Sequence, residues 1–403
     1  MKRIVSLVLC LLLVAVMCLP ICAGSLTDFK SSGYDRFKDA GITLNVYNWG
    51  EYISDGSEDS VDTIKEFEEL TGIAVHYTTF ASNEEMYAKI KSGGAQYDVI
   101  IPSDYMIARM INEGMVEKLD YNNIPNASLV DAKYKGLDYD PADEYSVPYT
   151  WGIVGLIYNT TIVDGEVDSW DALWDSKYSG NILMFSNSRD AFGIALQRLG
   201  YSLNTTNEDE LRAAANELMK QKELVQAYVM DEIFNKMEGG EAAIAPYYVG
   251  DAVTMMSENP DLAFAVPKEG TNYFVDAMVI PTGCENKEAA EMFINFMCEP
   301  VVSAANVTYI GYATPISAAK ELLDIDEEVE NMVYVDDEVL AKTEVFKHLP
   351  DKTNTLIDEL WTEILSYNKG ASNYIVPIFL GLAIVGAIAI LVVRAKKKNK
   401  PNY

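Results

Sequence analysis

Between Thr43 and Pro102 the hydrophobic period of the chain switches repeatedly between two and 3.6, and that alternation restricts the fold more than any other feature of the sequence. TLNVYNW is rich in β-branched and aromatic side chains, as a strand would be. EDSVDTIKEFEELTG then puts Val61, Ile64, Phe67 and Leu70 on one helical stripe, with Gly72 as the stop signal. IAVHYTTF predicts a second strand, Asn83 is read as the cap of a helix carrying Met86 and Ile90, and YDVIIP is a short apolar strand of the fully buried kind. Strand, helix, strand, helix, strand in this order predicts a parallel α/β sheet with right-handed crossovers. The carboxyl ends of such strands face the crevice of the fold. Trp49, Tyr52, Ser103 and Tyr105, each just past a strand end, are therefore placed on one rim.

A second unit begins near YSVPYTWGIVGLIYN, where Pro148 precedes an apolar strand over Gly152 to Tyr158. Helices are predicted at SWDALWD, capped by Ser169, at RDAFGIALQRLG, stopped by Gly200, and along the amphipathic NEDELRAAANELMKQK. EAAIAPYYVGDAV reads as a strand ending in Tyr247 and Tyr248, and YFVDAMVIP as a strand with one internal acid, Asp276. A helix over Lys287 to Cys298 and a loop, TYIGYATPIS, follow. Two α/β lobes, with the chain crossing between them more than once, fit this order and leave a cleft at their interface.

At 403 residues the chain has ample length for two lobes, and its formal charge is −30. Seven of its 31 Lys and Arg lie in the terminal stretches 1–23 and 374–403, which hold no Asp or Glu, so 24 remain against all 61 acids and the middle carries −37. Such a surface repels phosphate backbones and attracts cations, which makes nucleic acid a poor hypothesis for a partner and a cationic ligand a good one. The start, MKRIVSLVLCLLLVAVMCLPICAGS, has the basic, apolar and small-residue order of a secretory signal over 1–24, with a polar lead over 25–41. Lipidation at Cys22 is the lesser reading, because Ile21 and Pro20 precede it. Tyr374 to Val393 is twenty residues without a charge, enough at 1.5 Å rise to cross a hydrocarbon core of about 30 Å. The basic tail over 394–403 makes its C-terminal side cytoplasmic by the positive-inside rule. The expectation is an acidic body on the outer face of the membrane, anchored by a C-terminal transmembrane helix.

Two histidines, His76 and His348, leave little for a His-based triad or metal site. Of five cysteines three fall in the signal region. Cys284 and Cys298 could pair outside the cell, but Cys298 closes an amphipathic stretch where a free thiol behaves as a small hydrophobe. Nucleophile-elbow, dinucleotide, P-loop and zincin motifs are all missing, so no cofactor, metal or catalytic residue is called for. Aromatics beside acids at strand ends, NWGEY, PSDY, YYVGD and YFVD, are what remains. A ring face attracts a cation by about 0.5–2 kcal/mol and a carboxylate adds charge-assisted hydrogen bonds, so rings between two acidic ends suit an alkyl chain with an amine at each end. Taken singly, each motif is also what ordinary lip packing and solvated acids look like. Asp276 is the exception: flanked by Phe274, Val275, Ala277, Met278 and Val279, its charge needs a cationic partner that the local sequence does not offer.

LNVYNWGEYI, TGIAVHYTTFASNEEMYAKI, YDVIIPSDYMI, YSVPYTWG, GEAAIAPYYVGDA, YFVDAMVIP and IGYATPIS resemble, in order, successive blocks of the polyamine-binding proteins of ABC importers, from about Leu44 to about Leu323 and more loosely to about Lys369. The resemblance implies a two-lobed periplasmic-binding-protein fold that closes on its ligand like a hinged trap and presents the closed form to a permease. Lobe 1 is expected over 42–146 and 273–320, lobe 2 over 147–272 and 321–372. The family's aromatic box maps onto Trp49, Tyr52, Tyr105, Tyr248, Phe274 and Tyr312. Ser103 would bond a terminal amine or its bridging water, Asp276 would hold one amine, Glu51 would lie near the entrance, and Asp190, matching a Glu, would bind the opposite end. Asn187 stands where spermidine-preferring members have a second acid, and Tyr248 and Phe274 where they have Trp. Asp251 matches an acid of putrescine-preferring relatives; with Phe274 it leans toward putrescine, and the choice between diamine and triamine stays open. The function implied is a membrane-anchored, monomeric polyamine receptor serving ABC permease subunits. The alternatives are a receptor of the same fold for another cationic or neutral solute, or a carboxylate-dependent extracellular hydrolase.

Overall fold

A computed structural model describes residues 33–367. The predicted signal over 1–24, the transmembrane segment over 374–393 and the basic tail over 394–403 lie outside the described residues, among which no helix is long and apolar enough to cross a membrane.

The first unit follows the alternation read from the sequence. Strand β1 (Thr43–Trp49) leads through helix α1 (Thr63–Thr71) to β2 (Ala74–Phe80), then through α2 (Asn83–Lys91) to β3 (Val99–Ile100) and α3 (Asp104–Asn112). β1 pairs in parallel with both β2 and β3. Phe67 of α1 is fully buried, and Gly72 closes that helix at φ +72°. One boundary differs from expectation: Ser82, not Asn83, caps α2, its side chain accepting from the Glu85 N–H. Asn83 is the first helical residue, and its buried amide is used elsewhere.

The second unit contains β4 (Ser146–Asn159), β5 (Ile182–Phe185), α4 (Ser188–Arg198), α5 (Glu208–Gln221), β6 (Val225–Val229), α6 (Glu232–Glu238), β7 (Ile244–Tyr248), α7 (Val249–Glu258) and β8 (Leu262–Ala265). β9 (Thr271–Val279), α8 (Lys287–Met297), α9 (Pro300–Ile310), α10 (Glu327–Val333), β10 (Thr343–Glu344) and α11 (Asp351–Ser366) follow, with short helical turns at Ser317–Lys320 and Asp337–Leu340. SWDALWD forms a 3-10 turn at Trp170–Trp174, with Ser169 as its side-chain cap. The predicted loop TYIGYATPIS begins inside α9, whose last residue is Ile310.

One sheet joins the two units in the order β2-β1-β3-β9-β4-β7-β5-β6, with β10 beside β9 and β8 beside β4. Its centre is antiparallel, which the parallel expectation for the first unit did not reach: β3 meets β9 at Ile100 and Val279, and β9 runs against β4 from Val279–Ser146 to Tyr273–Ile153. β4 begins at Ser146 rather than Gly152 because Pro148 is accommodated where the register shifts between Pro148 and Thr150. The first half of β4 pairs with β9 and its second half with β7 and β8, so this strand of 14 residues belongs to both lobes. Cys284 and Cys298 are unpaired, and Cys298 is buried as a small hydrophobe.

Candidate functional site

Strand ends and helix starts meet over the β9–β4 centre of the sheet. β3 passes into α3 through Ser103, β5 into α4 through Asn187, and β7 into α7 through Tyr248, the N-cap residue of each helix. Together with Trp49 at the end of β1 they wall a cleft of about 590 Å³ including its mouth. Trp49, Tyr52, Ser103, Tyr105, Asp190, Tyr248, Asp251, Phe274, Asp276 and Tyr312 all line it. Glu51 stands apart, on the wall of a vestibule outside.

At one end Asp276 projects from the middle of β9. The Tyr52 hydroxyl donates to its Oδ2 at 2.7 Å and is itself hydrogen-bonded to Thr150, the β4 residue opposite Asp276. Oδ1 is buried without a partner. Burial pushes the carboxyl up to about 6, against the hydrogen bond from Tyr52 and a contribution from Ser103, which favour the ionised form. Among the described residues no Lys or Arg lies close enough to offset its charge. A buried carboxylate oxygen of this kind is stabilised by a hydrogen-bond donor, most strongly by a charged one.

Asp190 occupies the other end, in the first turn of α4. Asn187 caps the helix by accepting from the Arg189 N–H and also donates its amide to Asp190 Oδ2 at 2.6 Å; the Tyr248 hydroxyl donates to the same oxygen at 2.9 Å. Burial pushes this carboxyl up to about 7, opposed by Tyr248 and by the neighbouring Arg189 charge.

Four rings connect the two acids. Tyr248 meets Phe274 edge-on at 5.5 Å, Phe274 meets Tyr312 at 6.2 Å, and Tyr312 meets Tyr52 at 4.8 Å and 88°. Such edge-to-face pairs contribute about 0.5–1.5 kcal/mol each beyond their buried area, enough to hold the wall in one shape. Tyr312 is fixed by two glycines. A Cβ on Gly250 would fall 2.1 Å from the Tyr312 ring, and Gly311, at φ +75°, lets the chain turn against the Gly250 carbonyl. On the facing side Asn83 donates to the Tyr105 hydroxyl at 3.1 Å and accepts from the Ser103 N–H at 3.2 Å, which explains why its side chain does not cap α2.

Helix N-termini aimed into a cleft favour anions. Here an acid occupies the first turn of each: Asp104 in α3, Asp190 in α4 and Asp251 in α7. These acids put carboxyl groups rather than open anion sites at the helix starts, and Asp276 adds a fourth from the middle of β9. Burial raises Asp104 and Asp251 well above the usual carboxylate range. Several acids therefore face the cleft, so their number alone does not separate a binding site from a carboxylate hydrolase. The ring wall adds a second feature, an apolar middle between the acids. Among the described residues no group of His, Cys, Asp and Glu forms a metal site.

Outside the cleft lies a vestibule walled by Glu51, Glu58, Asp231, Glu232, Glu238 and Glu258, with no Lys or Arg. Asp231 lines cleft and vestibule alike, and its carboxylate lies so close to Gly50 that a Cβ there would be 2.2 Å from Oδ2. Sequence reasoning missed Asp231, Asn272 and Phe346, all of which line the cleft. None sits at an aromatic–acid motif; Phe346 arrives only because β10 returns to pair with β9. Asp104 was in view within PSDY, and only its burial shows it to be part of the wall.

The family described as bacterial extracellular solute-binding protein matches residues 62–333. The spermidine/putrescine-binding periplasmic protein of Escherichia coli (strain K12) is 36% identical over 327 residues, 80% of this chain and 91% of that one. The putrescine-binding periplasmic protein SpuD of Pseudomonas aeruginosa is 31% identical over 80% of this chain and 92% of its own. Among solved structures, the spermidine/putrescine ABC transporter substrate-binding protein PotD of Streptococcus pneumoniae is 37% identical, with a TM-score of 0.67 over 80% of this chain and 98% of that one. With its two lobes, its cleft and these likenesses, the chain belongs to the bacterial extracellular solute-binding proteins, in the group that holds the spermidine/putrescine-binding periplasmic proteins.

Proposed function

We propose that this chain is an extracytoplasmic receptor that captures a polyamine, putrescine or spermidine, and delivers it to the permease of an ABC importer. The observation that carries the reading is the ring wall with a tyrosine-held carboxylate at each end: Tyr52 on Asp276 and Tyr248 on Asp190. A protonated amine fits Asp276 Oδ1, the methylenes run along Tyr312 and Phe274, and Asp190 faces the far amine of the longer ligand. Ser103, Tyr105 and Trp49 close the opposite side, and Asp251 adds charge near Tyr312. Lobe 1 (42–146 with 273–320) and lobe 2 (147–272 with 321–372) close by bending where β4 and β9 cross. The apolar run over 374–393 tethers the receptor at the membrane face, which raises its concentration near the permease into the mM range for a short flexible linker.

Calorimetric titration of the full chain in detergent with putrescine and with spermidine tests the reading. One saturable site is expected for at least one of them, weakened sharply by Asp276→Asn. Heat with a basic amino acid or a sugar and none with any di- or polyamine would overturn it.

A further inference from the structure

β9 presents three side chains in a row toward the cleft, at spacing two: Asp276, Phe274 and Asn272. Asp276 supplies the anchor and Phe274 a ring. Asn272 is only 7% exposed, and its Oδ1 has no hydrogen-bond partner. It lines the main cleft and also a small adjoining recess shared with Asp190, Phe346 and Gln197. A buried amide oxygen left unpaired in a wall is costly unless something that enters the cleft satisfies it.

Resting on the polyamine reading above, we propose that Asn272 is a specificity-determining residue: its Oδ1 accepts a hydrogen bond from the distal nitrogen of a triamine, and a diamine does not reach it. Four residues of strand separate the Cα atoms of Asp276 and Asn272 by about 13 Å. A chain of single bonds of about 1.5 Å advances about 1.25 Å per bond, so the terminal nitrogens of extended spermidine, nine bonds apart, span about 11 Å, and those of putrescine, five bonds apart, about 6 Å. A triamine anchored on Asp276 therefore passes Phe274 and delivers its far nitrogen between Asn272 and Asp190. A diamine on the same anchor ends near Phe274. At the far end both hydrogen bonds to Asp190 fall on Oδ2, so Asp190 and Asn272 offer acceptors from two walls to one ammonium.

The test is calorimetry on the full chain at pH 8 with both ligands, using Asn272→Leu and Asn272→Asp. Asn272→Leu is expected to weaken spermidine about tenfold or more, the scale of a hydrogen bond to a charged group, while putrescine changes less than twofold. Asn272→Asp is expected to tighten spermidine several-fold and to leave putrescine nearly unchanged. Equal changes for the two ligands, or no change for spermidine, would overturn the assignment while leaving the polyamine reading intact. Wild-type protein that binds neither ligand would sink the reading itself. If Asn272→Leu gives no cooperative melt, Asn272→Asp decides alone, because it keeps the shape of the side chain.

Discussion

At one end of the ring wall Asp276 stands in the middle of a strand, with one oxygen held by Tyr52 and the other buried and bare. At the other end Asp190 stands in a helix first turn, with both its donors on one oxygen and Arg189 beside it in sequence. Arg189 is itself buried, lies 4.6 Å over the Phe346 ring, and gives its Nη2 to Asn204 and to the Lys347 carbonyl. The same device, a tyrosine hydroxyl on a carboxylate, thus operates in two surroundings. Asp276 has no resident countercharge, so an incoming ammonium gains the full interaction there. Asp190 already has a donor pair, a helix dipole and a nearby cation, so a second ammonium gains less. On the proposed polyamine reading, the difference makes one end the anchor and the other the end that discriminates.

The strongest way to break this comparison is to neutralise each end in turn. Asp276→Asn removes the charge from a dry site, where such a loss costs about 2–5 kcal/mol, and affinity is expected to fall on the order of 1,000-fold. Asp190→Asn is expected to cost about tenfold. Calorimetry on both variants checks the ranking, and equal losses would show that the two ends are equivalent. Acidification sharpens the same contrast. A cationic ligand is held best when both carboxylates are ionised, and in the empty cleft they take up protons near pH 7 and pH 6. Spermidine affinity should therefore fall roughly 30-fold between pH 8 and pH 5.5, with the loss from Asp190 levelling off near tenfold while the loss from Asp276 continues. In Asp190→Asn the bend near pH 7 should vanish and the one near pH 6 remain.

Stability should move opposite to binding. Because burial raises Asp276 above its ordinary 3.8, the empty fold holds this proton more tightly than the unfolded chain does. Its ionisation then costs nothing below about pH 4, and a penalty grows as pH rises through about 6. Asp276→Asn removes that penalty, so the ligand-free variant is expected to melt a few degrees above wild type at pH 7, by up to about 3 kcal/mol, with the difference closing toward pH 4. Differential scanning calorimetry across that range reads the sign directly. A variant less stable at pH 7 would mean that Asp276 holds the fold together rather than waiting for a ligand.

How far the sequence disclosed this site follows from which interactions are local. The parallel β1–β3 unit was legible because its strands and helices alternate within sixty residues and each carries its own period. The antiparallel β9–β4 centre was not, since β9 lies more than a hundred residues after its partner and nothing local encodes that pairing. Asp276 was legible by itself, as a charge within an apolar run. Asn272 was not, because an Asn at a strand start is ordinary until its neighbours are seen to leave Oδ1 bare. Asn83 misled for a related reason: it suits a cap by composition, but Tyr105 and Ser103, twenty residues on, claim its amide.

The smallest effect expected concerns the vestibule, which contrasts with both ends of the wall. Its acids are largely solvated and differ in kind from Asp276: Glu51, Glu58, Glu232 and Glu258 face water, and a carboxylate in water holds a cation weakly but attracts it over a Debye length of about 8 Å at physiological salt. Six carboxylates without a base form a one-sign funnel ending at Asp231, the residue that opens onto the cleft. Such a funnel raises the rate of arrival and leaves the departure rate to the contacts inside. Glu51→Gln with Glu238→Gln should therefore slow association of a polyamine severalfold at low salt, with dissociation unchanged, and the difference from wild type should shrink as salt is added. Stopped-flow binding followed by tryptophan fluorescence, with Trp49 in the cleft wall, measures both rates. A change confined to dissociation would place Glu51 among the ligand's direct contacts and remove the distinction between vestibule and cleft.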